Sequence, residues 1–558
     1  MGTILLALAL AAGIQFHQDF EKAVLALTGA ACTEDLDESE LEHYQSLAEH
    51  PLDLNGAGRA RLAASRLLSG YQIASLLDYR SHSGDILSYS ELALIDGFSP
   101  ALAEALKPFT ALRTGSAPGH TARDGLHGSL TAKGSVRQKD DKVQSTYGAK
   151  LHLEAGERLE LNWASRTTYS SPEPHFGTAS AAYYGRRALE RLVIGNYGAR
   201  FGQGLALWSG FSLSGVSSVA AFRRNGSGIS ASSSFSPALL GAAAEFRAGT
   251  GTLSCGYAVP GELFCNWTGI GRNITSGATA IHDLVKGRSI ASADVRAGFH
   301  GVSIFAEAAI EHLGGRVSPA AVAGAIYTPR YGTRLALLGR WYSPGFSGAQ
   351  SGAVKAGSKA SDEAGLSAGL QLPWMDATAD AMYRPLKGSS QFKSIVSFHK
   401  EFQAFSWLSL EPQARISIRT SGEGTRSDLR GELALKSGPW VLSARGNVLW
   451  NRNFSWLWYS EAGARAERAS TYLRFTLFKI DDWDDRIYVY ERDIPGSFSI
   501  PAYYGRGFSL SWCGSAKLRT QSGWEWQLAA RAAATRYPWT LNGRSSSTEA
   551  KVLLRLSR

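Results

Sequence analysis

Asp428-Leu429-Arg430-Gly431-Glu432-Leu433-Ala434-Leu435 is followed after a short break by Leu442-Ser443-Ala444-Arg445-Gly446-Asn447-Val448-Leu449-Trp450. Leu429, Leu433 and Leu435, then Leu442, Ala444, Val448 and Trp450, fall on alternate places, with Asp428, Arg430, Glu432, Ser443, Arg445 and Asn447 between them. Successive side chains of a β-strand point to opposite faces, so a period of two predicts strands with one apolar and one polar face. The pattern recurs in both directions along the chain. Leu159, Leu161 and Trp163 show it, as do Leu335, Leu337 and Trp341, and Leu473, Phe475 and Leu477. Near the end come Trp524, Trp526, Leu528 and Ala530, then Ala550, Val552, Leu554 and Leu556.

Soluble sandwiches alternate too, but these runs extend to about 10–13 residues, against about 5–6 in ordinary sheets. Aromatic residues gather at run ends, as in Trp450, Phe454, Trp456, Trp458 and Tyr459, which suits a girdle at a membrane interface. The predicted fold is mainly β: a large antiparallel transmembrane β-barrel over residues 125–558, with roughly 16–22 strands. The pattern breaks at about 199–238 and 260–288, read as extended loops or inserts that plug the lumen. The Gly-, Ser- and Lys-rich stretch 345–364 reads as an outward-facing loop.

Composition agrees. The chain has 558 residues, 44% apolar and 19% charged, enough apolar content to sustain a fold. The longest strictly apolar run, Ile4 to Ile14, is eleven residues. A spanning helix needs about 20, which excludes a helical membrane bundle and leaves a barrel open. The net charge of +10 is an average of unequal parts. Residues 1–113 hold fifteen acidic and seven basic side chains; residues 114–558 hold 33 and 51. A basic chain suggests nucleic-acid binding, but here the acidic and basic portions are separate modules.

Ile4 to Ala12 has the length of a signal-peptide core, although no Lys or Arg precedes it. The predicted organisation is a signal peptide at 1–15, a periplasmic helical domain at 16–113, a polar linker at 114–124 and an outer-membrane barrel at 125–558. Export into an oxidising compartment bears on Cys255 and Cys265, which flank Pro260-Gly261. They read either as a loop disulfide or as two unpaired small apolar residues.

Within residues 51–113 a theme of helix, break, helix occurs twice. Leu68-Ser69-Gly70-Tyr71 leads into Ile73-Ala74 and Leu77-Asp78-Tyr79-Arg80; Ile95-Asp96-Gly97-Phe98 follows Ser90-Glu91-Leu92, with Ser99 as N-cap and Pro100 at N1. This tandem resembles the helix-hairpin-helix repeat. The resemblance implies that Gly70, Tyr71, Gly97, Phe98 and Ser99 present backbone N–H groups to an anion, in that family a nucleic-acid phosphate. The second glycine of the usual hairpin is replaced by Gln72 and Ser99. Residues 53–113 also carry equal numbers of acids and bases, six each, and phosphate binding draws most of its affinity from cations. A protein partner, or packing on the same chain, is the reading placed ahead of DNA.

Two stretches are denser than strand chemistry requires. One runs from Gly195 through Gly202-Gln203-Gly204 to Gly210; the other from Asp485 through Arg486, Glu491-Arg492-Asp493 and Pro501 to Gly507. Together with the paired hairpins they resemble an uncharacterised Bacteroidota family that joins a helix-hairpin-helix domain to a large outer-membrane barrel. That resemblance implies location and architecture, and no activity. Gly202, Gln203 and Gly204 suit a tight backbone approach. Arg486, Glu491, Arg492 and Asp493 suit a charge ladder that locks register across the wall, placed ahead of a selective constriction.

Gly365-Leu366-Ser367-Ala368-Gly369 matches GxSxG but lies in an alternating run, not at a strand-to-helix turn, and no metal or cofactor motif appears. The predicted function is non-enzymatic, without cofactor: an outer-membrane barrel, bathed in lipid, whose periplasmic domain docks a protein partner. The alternatives are a solute channel gated or plugged by that domain, and DNA binding or uptake through the hairpins.

Overall fold

The period-two runs are strands. The computed structural model describes residues 16–558 except 31, 37, 114–124, 140–141, 157, 169–170, 186, 211, 213, 234–238, 272, 331 and 540–545. The predicted signal peptide and linker lie outside the described residues. Twenty-four antiparallel strands of 8–15 residues close into one barrel. The first, Leu126–Lys139, pairs antiparallel with the last, Ser547–Ser557. An even count is what lets an all-antiparallel sheet close on itself. Two short pieces add to the wall: Gly228–Ala231 beside Leu189–Arg200, and Phe402–Phe405, which carries the hairpin of Ser389–His399 further.

The count exceeds the predicted 16–22 for two reasons. Many hairpins turn in two residues, as at Lys139/Lys142, Leu372/Met375 and Ser421/Gly424, each a directly opposed pair. The stretch 260–288, read as a loop or insert, instead forms the wall strands Glu262–Ile270 and Ile274–Asp283. Leu263 and Trp267 face outward there while Phe264 and Ile281 face inward, so apolar residues on both faces hide the alternation.

Burial in this barrel is inverted relative to a soluble protein. Leu442 and Leu433, on the outer face, are 50% and 43% exposed, while Arg445 and Arg474, on the inner face, are 4% and 5% exposed. An apolar outer band of this extent is unstable in water and stable in hydrocarbon. Here the sheet faces lipid outside and a filled, polar interior within.

The chain enters and leaves the barrel at one end. At the other end lie three long connections, 201–238, 343–362 and 481–504, and all three fold inward. Leu205, Val219 and Phe222 pack with Val354 and Ala360 on the wall residues Phe305, Leu338 and Tyr342. Ile487 and Val489 pack on Leu449, Leu457 and Phe478. The stretch 345–364, predicted to face outward, is therefore interior for much of its length: its Ala353 and Val354 need an apolar neighbour, and Gly and Ser let the backbone follow the wall. Arg486, Glu491, Arg492 and Asp493 lie in the third inward connection, not in wall strands, so they form no cross-strand ladder.

The N-terminal part is helical: α1 (Phe16–Thr28), α2 (Glu38–Glu49), α3 (Arg59–Ala64), α4 (Gly70–Ser83), α5 (Tyr89–Leu92) and α6 (Pro100–Leu106). Val24, Leu54, Leu62, Leu76, Leu92, Leu106 and Phe109 form its core. A two-residue parallel pairing, Leu52–Asp53 with Thr110–Ala111, ties its ends. Asn55 caps no helix. Its side chain exchanges hydrogen bonds with the backbone of Ile86 and donates to the Arg113 carbonyl, stapling the two helix pairs.

The lipid-facing assignment has a direct consequence. Leu337 stands mid-strand on the outer face, 54% exposed. Leu337→Arg should cost about 2–4 kcal/mol of folding free energy in phospholipid bilayers. Folding titrations in denaturant measure this, and Leu337→Phe should cost far less.

Candidate functional site: a helical segment inside the barrel

Between α1 and α2 the chain makes a tight turn, Thr33–Asp35, that carries two carboxylates. Glu34 accepts from the guanidiniums of Arg445 and Arg430, the latter at 3.3 Å, and from the Tyr490 N–H. Asp35 accepts two bonds from Arg415, at 3.1 and 3.3 Å. Arg415, Arg430 and Arg445 all sit on polar, inward places of the alternating strands, so the turn lies within the lumen.

Contacts continue around the wall. Lys22 on α1 bridges Glu401 and Glu411, both at 2.8 Å. Across the barrel, Arg61 on α3 pairs with Glu160 at 2.8 Å and with Glu154, and the wall's Lys150 reaches Glu42 on α2 at 2.8 Å. Arg191 donates to the Ala60 carbonyl at 3.0 Å, and Arg66 to Ser230 at 2.9 Å. Residues 20–66 thus touch opposite sides of the barrel from within the lumen, in the position of a plug. The remainder, 67–113, continues past the rim at the end carrying the chain termini; Leu87 and Leu94 there are 71% and 86% exposed.

The inward connections meet the plug from the other end. Arg492 joins all three parts: it pairs with Glu461 of the wall at 2.9 Å and Glu21 of α1 at 3.1 Å, and its guanidinium lies 4.2 Å from the Tyr472 ring centroid. Glu491 is buried between Arg531 and the Tyr503 hydroxyl, and Asp493 accepts from Lys551 at 2.6 Å. Arg486 stays nearer the mouth, donating to the Tyr488 hydroxyl at 2.8 Å. Three of the four charges named from sequence, Glu491, Arg492 and Asp493, therefore clamp a loop to the wall, and Arg492 also clamps the plug.

Gly202, Gln203 and Gly204 anchor another connection. The N–H groups of Gln203 and Leu205 donate to one carboxylate oxygen of Glu307 at 2.7 and 3.0 Å. Gly202 has φ +57°, and a Cβ there would lie 2.8 Å from that same oxygen. Glycine is what allows the backbone to wrap so closely around a buried carboxylate.

The hairpin residues form a contact with each other. Ser69 caps α4 in a reciprocal box with Gln72, and Ser99 accepts from the Leu102 N–H at 3.2 Å to cap α6. Gly97 has φ +84°, and a Cβ there would lie 2.9 Å from the Tyr71 ring. The Tyr71 hydroxyl bonds the Asp96 carboxylate, Gln72 donates to the Gly97 carbonyl at 2.9 Å, and Phe98 packs on the helical core. A carboxylate beside Gly97 repels a phosphate there.

Cys255 and Cys265 are directly opposed on neighbouring strands, not in a loop, and both are free thiols. Their sulfurs stand 2.7 Å apart, and Pro260-Gly261 turns the hairpin between the two strands. Ser367 of the GxSxG stretch is fully buried and bonds Asp380 at 2.6 Å and Arg340 at 2.9 Å, as part of an ion-paired wall network.

Glu34, Asp35, Arg415, Arg430, Arg445 and Glu461 were not singled out by the sequence. Their signal was the split between an acidic N-terminal part and a basic barrel. Two crevices between plug and wall have volumes of about 70 and 80 Å³, room for a few waters each.

No family model matches the sequence, and no curated protein aligns with it significantly. Among solved structures, the P pilus usher (PapC) translocation pore superposes with a TM-score of 0.42 at 9% identity, over 78% of this chain and 99% of that one. Pseudomonas aeruginosa OccK11 (OpdR) gives 0.32 at 9%, over 77% and 95%, and OpdQ of the same organism 0.29 at 8%, over 78% and 98%. All three scores are below 0.5, and the barrel follows from the strand pairing itself.

Burial alone would raise the Glu34 pKa, but Arg430 and Arg445 outweigh it and hold the carboxyl well below the usual range. Removing one partner of a buried pair costs about 3–5 kcal/mol, because the other charges stay desolvated. Glu34→Ala should therefore loosen the plug, measured as faster hydrogen exchange over residues 20–50 with the barrel strands unchanged. His43 behaves as a base kept neutral: burial, then the neighbouring Arg66, push its pKa down to about 3. Its ordinary value is about 6.5. A lowered pKa contributes stability that is complete above the unfolded value and lost as pH falls toward the folded one. Plug protection, corrected for intrinsic exchange, should decline from about pH 6.5 toward pH 4, and His43→Gln should flatten that decline.

Proposed function

We propose that this chain is a non-enzymatic outer-membrane conduit, held shut at rest by its own N-terminal helical segment. What carries this reading is the position of residues 20–66 in the lumen, pinned by charged side chains to opposite walls. An ion-paired plug differs from an apolar core in a useful way. Its contacts can be exchanged for water or for other ions, so it can leave without exposing a large apolar surface.

The projecting part, 67–113, suits a handle on the periplasmic side. Leu87 and Leu94 stand in water on it, which favours an apolar contact with a protein partner. Nucleic-acid uptake through the same hairpins is supported less well, since Asp96 occupies the ground a phosphate would take.

Single-channel recording on the purified protein tests the proposal. The intact chain should be closed nearly all the time, and a chain lacking residues 16–113 should show a steady or frequent conductance. Neutralising Glu21, Glu34 and Asp35 together should raise the open fraction at least several-fold. Equal conductance of the intact and shortened chains would defeat the reading.

A further inference from the structure

The lumen wall carries a row of cations that, among the described residues, make no ion pair within 4.0 Å. Lys393, Arg419 and Arg426 are directly opposed on three adjacent strands: Lys393 faces Arg419, and Arg419 faces Arg426. All three take inward places, since Phe392, Ile418 and Leu429 hold the outer face. Arg419 and Arg426 lie two rungs from the Ser421/Gly424 turn, at the mouth opposite the chain termini. Like charges directly opposite each other destabilise a sheet.

The nearby carboxylates are engaged or stand off. Asp380, opposite Lys393, is held by Arg340 at 2.7 Å and Ser367 at 2.6 Å. Asp35 is held by Arg415, and Asp485 accepts from the Asn451 side chain at 2.8 Å and the Asn453 N–H at 3.0 Å. Asp428 shares the face of Arg426, two places on, and among the described residues makes no ion pair within 4.0 Å. Among the described residues, Arg426 donates to the carbonyls of Asp484 and Arg486. Arg419 is exposed. Six other inner-wall arginines differ: Arg340, Arg415, Arg430, Arg445, Arg474 and Arg531 each have a carboxylate within 4.0 Å.

We infer that Lys393, Arg419 and Arg426 form a binding site for a small multivalent anion at the mouth of the barrel, just beyond the Arg415–Asp35 contact that holds the plug. Opposed residues stand about 5 Å apart, so three cations cover about 10 Å. That spacing matches a solute bearing several negative oxygens, such as a polyphosphate or a polycarboxylate, better than a single carboxylate. The site deepens the conduit reading, on which its role as an entry point rests, by naming the charge of what arrives. Its binding does not depend on whether the plug moves.

Isothermal titration of the full-length protein in detergent at low salt tests this, with inorganic tripolyphosphate, citrate and acetate as probes. Tripolyphosphate or citrate should bind once per chain, and acetate at least tenfold more weakly. Arg419→Gln should weaken the multivalent probe at least tenfold. Lys393→Gln, a second and independent variant, should do the same, while Arg519→Gln, at the opposite end of the wall, should not. A preference between the two multivalent probes tells phosphate from carboxylate chemistry. Absent binding by the intact chain, or equal affinity in Arg419→Gln and Lys393→Gln chains that retain heat-modifiable mobility, would overturn the assignment. Unchanged conductance on deleting residues 16–113 would instead defeat the conduit reading and leave this result standing.

Discussion

A barrel of 24 strands encloses a wide interior, and the alternation that gives it a lipid-facing exterior forces polar and charged side chains into that interior. Those charges must be hydrated or paired. Much else in the molecule follows from how this one meets the requirement. Basic residues dominate the wall, and the acidic N-terminal segment and the inward connection 481–504 supply opposing carboxylates. Glu34 between Arg430 and Arg445, and Arg492 between Glu461 and Glu21, are the clearest points of contact.

The same requirement accounts for the two dense sequence stretches. Gly202-Gln203-Gly204 wraps backbone N–H groups around Glu307, and Glu491-Arg492-Asp493 meets Arg531, Glu461 and Lys551. In both cases a connection that could hang in solvent is drawn inward by a charge on the wall. Apolar residues on the same connections, such as Phe222 and Val489, then cover inward-facing rings such as Phe305 and Phe478. Ionic contacts position the filling and apolar contacts exclude water from it. Plug helices are held mainly by the first kind of contact, which is the physical basis for treating them as the movable part.

Much of the fold was legible from residue order. The period of two at Leu429 to Trp450 identified strands, their faces and the barrel, and the start of α6 was found from Ser99 and Pro100. Local spacing is enough for such features, because pleat geometry and helix capping act within a few residues. What stayed hidden was non-local. Arg430 and Glu34 are 396 residues apart, and nothing near either one marks the other as its partner. The role of Asn55 was hidden for the same reason: it depends on Ile86 and Arg113, which only the folded hairpins bring near. The strands of 260–288 were missed because apolar residues such as Trp267 and Phe264 stand on both faces there, and the inward turn of 345–364 because loop composition does not record direction.

By itself, then, the amino-acid sequence determined an antiparallel barrel with lipid outside, a separate acidic helical part and a basic wall, since alternation, capping and net charge are properties of short segments and their sums. Only the tertiary structure decided that residues 20–66 of the acidic part lie within the barrel, that the connections fold inward to meet them, and that Lys393, Arg419 and Arg426 stand opposite one another. Register sets which cations stand opposite one another, and closure of the sheet sets which distant carboxylates can reach them.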